Sequence, residues 1–130
     1  MPVLFFPEAT TTDGRTVRKV HGKLLAAALQ TRTPIQPVVL CYVNQQGGLD
    51  LRVPFVDDIT MAEHLSEMLV HDPVTAHVQA LERIDPTGHD LESLRLLVQS
   101  RLQDGLQALH RRVLNPQALA ELYGDREAAE

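Results

Sequence analysis

Three side chains in one stretch offer metal-ligand chemistry: His64, Glu67 and His71. Their spacing of three and four puts all of them on one flank of a helix. Imidazole and carboxylate together suit zinc, iron or nickel. His64 and His71 lie two turns apart, so they meet at one ion only with Glu67 between them and a further ligand from Asp72, His77 or His89. Neither His-Glu-x-x-His nor a Glu-x-x-His pair occurs. Polar residues flanking an apolar helical stripe give the same spacing without a metal, and that plainer reading is preferred. No cofactor is expected.

Other reactive residue types lack a setting. His77 falls within the apolar stripe Val74, Val78, Leu81 and Ile84, where a buried imidazole needs a hydrogen-bond partner. A core or rim histidine is expected there, with a base titrating near neutrality as the alternative. Cys41 lies amid apolar neighbours and reads as a packed small hydrophobe rather than a nucleophile. Ser66 and Ser100 sit in predicted helices without a nucleophile elbow. Gly47-Gly48 belongs to a turn and opens no helix, so it is not a phosphate-binding loop. The pair Asp57-Asp58 suits a hard cation, but beside a helix start it mainly complements the helix dipole.

The elements that must hold these residues centre on Ile35 to Val56. Val38 to Val43 is an unbroken apolar run, Asn44 to Gly48 is a turn signal, and alternation resumes from Leu49. A two-residue turn at Gln46-Gly47 would set Tyr42 opposite Leu51, Leu40 opposite Val53 and Val38 opposite Phe55. Asp50, Arg52 and Pro54 then fall on the other face of the second strand, and Pro54 marks a sheet edge. The expected fold class is α+β. A small antiparallel sheet built on this hairpin, with strands at about 37–44 and 49–56 and an N-terminal strand at Val3 to Phe6, packs against four to five helices.

Those helices are expected at about Thr16 to Gln30 (with Arg15 to Val20 alternatively the return strand of a hairpin with Val3 to Phe6), from Thr60 onward, from Asp72-Pro73 to Ile84, at about 91–114 and from Pro116 to Tyr123. Thr60 and Glu63 form a capping box. Leu91, Leu94, Val98, Leu102, Leu106, Leu109 and Val113 recur at helical spacing, and a helix that long spans a domain or reaches a partner. Gly105 on its apolar face permits close approach of another backbone. Leu102, Gly105 and Leu109 are therefore candidate helix-interface residues, and Arg52 and Pro54 candidate sheet-edge residues. Gly124 is expected to stop the last helix, leaving one domain over 1–124 and a frayed tail over 125–130.

Composition narrows the function classes. One cysteine in 130 residues excludes an internal disulfide framework and fits a reducing, cytoplasmic setting. No segment has the length or flanks of a signal or spanning helix, and no membrane association is expected. Ten of twelve basic residues are arginine, as in GC-rich bacterial genomes. The net charge of −5 and five aromatics without tryptophan disfavour nucleic acid. Arg15, Arg18, Lys19, Lys23 and Arg32 nevertheless give residues 1–34 five basic groups against two acidic ones. No family signature is recognised, and the sequence by itself does not state a function. The expectation drawn from it is a non-enzymatic interaction module (adaptor, chaperone, inhibitor or regulator) with an unknown protein partner or a homodimer. A metal- or small-ligand-binding enzyme using the His/Glu cluster is the alternative, and weak nucleic-acid binding the second.

Overall fold

In the computed structural model, residues 2–8, 15–50, 60–70 and 72–127 are described. The order is α1 (Lys23–Thr31), β1 (Val38–Val43), α2 (Met61–Leu69), β2 (Thr75–Ala80), α3 (Leu91–Val113) and α4 (Pro116–Glu127). The class is α+β: a two-stranded antiparallel sheet packs against the long helix α3, as the sequence leads one to expect. Burial alternates along β1. Val39, Cys41 and Val43 face α3, while Val38 and Leu40 face outward. Leu94, Val98, Leu102, Leu106 and Leu109 of α3 complete the core, joined by Val20 and Leu25.

The principal correction is the partner of β1. The stretch expected as a helix from Asp72-Pro73 is β2, with Leu40 opposite Val78 and Cys41 opposite His77. Six residues reading Thr-Ala-His-Val-Gln-Ala fit either period. A long-range ladder that satisfies the backbone of β1 decides between them. Val74 and Leu81 are half-buried and Ile84 is buried, but Val78 points outward at 66% exposure.

The turn after β1 also differs from expectation. Gly47 N–H donates to Asn44 O (3.1 Å) and Asn44 N–H to Gly48 O (2.9 Å), closing a three-residue loop with Gly47 at φ +83°. Asn44 Oδ1 accepts from the Gln46 and Gly48 amides, which favours this longer loop over a two-residue turn. An odd loop shifts the register by one. Val43 bridges Leu49, and Asp50 N–H donates to Tyr42 O (2.8 Å). Asp50 is buried at 3% exposure instead of facing water. Leu51, Arg52, Val53, Pro54, Phe55, Asp57 and Asp58 lie outside the described residues, as do the expected pairings that involve them.

Nearer the N-terminus, residues 2–6 form no strand. Helix α1 begins at Lys23, not Thr16, and buries Leu25 while Leu24 is 52% exposed. The cause lies on α3. Gln99 Oε1 accepts from Val20 N–H (2.6 Å) and Gln99 Nε2 donates to Arg18 O (3.1 Å), taking peptide groups that a helix would need. Local signals elsewhere hold. Thr60 and Glu63 make the full capping box of α2, Asp90 caps α3 through Ser93 N–H (2.7 Å), and Asn115 Oδ1 accepts from Ala118 N–H (2.8 Å) at the start of α4. Gly124 does not stop α4, whose backbone continues to Glu127.

Candidate functional site

Of the expected metal ligands, His64 is half-buried on α2, Glu67 is exposed, and His71 lies outside the described residues. Among the described residues no group of three or more metal-ligating side chains comes together. His77 is half-buried on the inner side of β2, opposite Cys41, a rim position. Burial pushes the Cys41 thiol up, outweighing the lowering effect of Arg112, so the group stays protonated and inert at neutral pH. His89 Nδ1 lies 3.1 Å from Ser93 Oγ, yet that hydroxyl also donates to Asp90 O (3.2 Å), the geometry of an exposed helix start. The expected helix-interface residues look inward. Leu102 and Leu109 are core, and a Cβ on Gly105 would collide with the Leu81 side chain.

What the fold does assemble is a cleft of about 550 Å³ beside the middle of α3 and along α4. Arg15, Thr16, Asn44, Gly48, Leu49, Gln103, Glu121 and Tyr123 are among its lining residues. Four separate stretches converge there: residues 15–16, the turn at 44–49, α3 and α4. Segment 15–20 is clamped by Gln99, as above, and by Gln103 Nε2 donating to Thr16 Oγ1 (3.3 Å). Glu8 accepts from Arg18 N–H (2.8 Å), and Pro7 O accepts from His21 N–H (2.8 Å), tying residues 7–8 to the same segment. The Asn44–Gly48 turn is locked to the start of α4, because Asn115 Nδ2 donates to Gln46 O (2.7 Å) and Asn115 N–H to Gly47 O (2.9 Å). The approach is close enough that a Cβ on Gly47 would meet Asn115 Nδ2 at 3.2 Å.

Beneath the cleft, Tyr123 O–H and His110 Nδ1 are 2.6 Å apart, both residues buried, and Arg111 lies 6.0 Å from the Tyr123 ring centre. Tyr123 and Arg111 also line a smaller hollow of about 250 Å³ with Pro116, Leu119 and Ala120. Sequence reasoning misses this site because its residues share no period. The nearest signal is the density of exposed cations, Arg15, Arg18, Lys19 and Lys23, in a segment without regular structure that leads into α1.

No family model and no solved structure matches the chain. A stretch of 92 residues, 71% of the chain, is 38% identical to lyso-ornithine lipid O-acyltransferase of Pseudomonas aeruginosa. The chain spans about a third (35%) of that protein's length. The match overturns the expectation of a non-enzymatic adaptor, chaperone, inhibitor or regulator, and with it the leaning away from catalysis, since the matched protein is an enzyme. No described helix is long and apolar enough to cross a membrane.

Proposed function

We propose that the chain forms part of an O-acyltransferase that moves an acyl group from an activated donor to the hydroxyl of a lyso-lipid. The observation that carries this reading is the 38% identity over 92 residues to an enzyme of that name. In such a reaction the hydroxyl oxygen bonds to the acyl carbon, the bond to the donor's leaving group breaks, and the hydroxyl proton passes to a base. Donors aimed at the transient oxyanion lower the barrier.

The part assigned to this chain is to bind and position the acceptor. The cleft presents a cation and an anion, Arg15 and Glu121, with the amides of Asn44 and Gln103 and the apolar surfaces of Leu49, Leu122 and Tyr123. A zwitterionic headgroup bearing an ammonium and a carboxylate, joined to hydrocarbon, complements that lining better than a purely anionic phosphate does. The assay is transfer of a radiolabelled acyl group from an acyl thioester to lyso-ornithine lipid. It is run with the chain alone and with the portion of the Pseudomonas protein that the chain does not match. Arg15→Ala and Glu121→Ala are each expected to raise the KM for the acceptor about tenfold, the worth of one charge-assisted hydrogen bond. Unchanged kinetics in folded variants would remove the cleft from the account, and absence of transfer in both settings would remove the acyltransferase reading.

A further inference from the structure

The sheet carries two apolar faces and the fold covers one. Val39, Cys41 and Val43 are at most 7% exposed against α3, whereas Val38, Leu40 and Val78 on the other side are 44%, 40% and 66% exposed. Ala76 and Ala80 extend that outer face, and the ladder sets Val38 opposite Ala80 and Leu40 opposite Val78. Among the described residues no strand lies beside the far edge of β2. Helix α2 repeats the pattern. It buries no residue, and Met61, Leu65 and Leu69 along its stripe are 67%, 57% and 79% exposed. An outward face this apolar, on a sheet of two described strands, is the half-finished side of a larger packed layer.

We infer that this outer face, with the adjoining edge of β2, seats the portion of an acyltransferase that corresponds to the roughly two thirds of the Pseudomonas protein beyond the match. This rests on the function proposed above. Length argues for that occupant, because the chain spans 35% of the length of that enzyme. Chemistry argues for a protein rather than a lipid surface. Val38, Leu40, Ala76, Val78 and Ala80 on that face include no lysine or arginine, whereas surfaces drawn to anionic membranes carry basic residues. A paired, apolar β-surface is covered in proteins by helices, and a β-edge by another strand.

The test co-expresses the full chain carrying Val78→Cys with the unmatched portion of the Pseudomonas enzyme, and follows maleimide labelling of the introduced thiol by peptide mass spectrometry. A one-to-one complex is expected, in which labelling slows at least tenfold relative to the chain alone. Val78→Asp, at a position open in the free chain, is expected to abolish co-purification while leaving its circular dichroism unchanged. No complex, or a complex in which the introduced thiol labels at the free rate, overturns the inference. So does protection in the chain alone at micromolar concentration, the mark of a second copy, or protection by anionic vesicles. Acyl transfer is measured on the same samples and decides the other question. A complex that protects the thiol but transfers nothing would leave the docking intact and remove the acyltransferase reading. Full activity of the chain alone, with the thiol still open to maleimide, would do the reverse.

Discussion

The two faces of the β1–β2 sheet have the same kind of residues and opposite fates. On the inner side Val39, Cys41 and Val43 join five α3 residues in the buried core. On the outer side Val38, Leu40 and Val78 face water, as do Met61, Leu65 and Leu69 of α2. Burial of each such large side chain is worth about 1.5–3 kcal/mol, so the inner face supplies stability and the outer face withholds it. Hydrophobicity identifies a surface to be covered but does not say what covers it. In this molecule α3 answers for one side only.

That contrast can be broken first where it is strongest. Leu109→Ala, at 2% exposure in the α3 layer, is expected to lose about 3–5 kcal/mol of unfolding free energy in urea titration. Leu102→Glu on the same face should unfold the chain rather than dissociate a dimer, because it would bury an unpaired charge. Next comes the joint under the cleft. Asn115→Ala removes both the cap of α4 and the tie to Gln46, and should cost about 1–2 kcal/mol and widen the cleft, visible as faster amide exchange at Gly47 and Gly48.

The weakly packed α2 is expected to respond less, and in a pH-dependent way. Hydrogen bonds from the Thr60 backbone N–H and hydroxyl hold the Glu63 carboxyl below its usual range. A carboxyl lowered in the folded state adds stability that is complete above the ordinary carboxylate range and is lost as pH falls through the lowered value. Helicity of α2 should therefore fade as pH falls through that lowered value, and Thr60→Ala, which removes the hydroxyl bond but keeps the backbone N–H, should weaken this pH dependence without abolishing it, read by residue-resolved exchange. Smallest of all is Val78→Asp in the free chain, expected to change stability by less than about 0.5 kcal/mol because the position is already solvated.

Legibility in the sequence follows the range of the interaction responsible. Helix α3 can be read directly, since its apolar period runs through 23 residues and Asp90 caps it locally. The box at Thr60 and Glu63 is equally local. Strand β2 reads as helix because its six residues fit both periods, and the ladder that decides comes from residues about 30 to 40 positions away. The sequence places the start of α1 too early for a related reason, the amide of Gln99 being remote from the peptide groups it takes. The cleft is invisible in the sequence. Arg15, Asn44, Gln103 and Glu121 are spaced without period, and long-range ties such as the lock between Asn115 and the turn at Gly47 bring their segments to one place. The His/Glu spacing on α2, by contrast, is conspicuous in sequence, but its third member, His71, lies outside the described residues.

The most direct measurement exchanges the matched parts. The 92-residue stretch of the Pseudomonas acyltransferase is replaced by the corresponding stretch of this chain, and acyl transfer to lyso-ornithine lipid is measured on the folded chimera. Turnover is expected to be retained if the two stretches play the same part in acyl transfer. A chimera that folds, with a cooperative melt like the parent enzyme's, and yet transfers no acyl group would show that they do not.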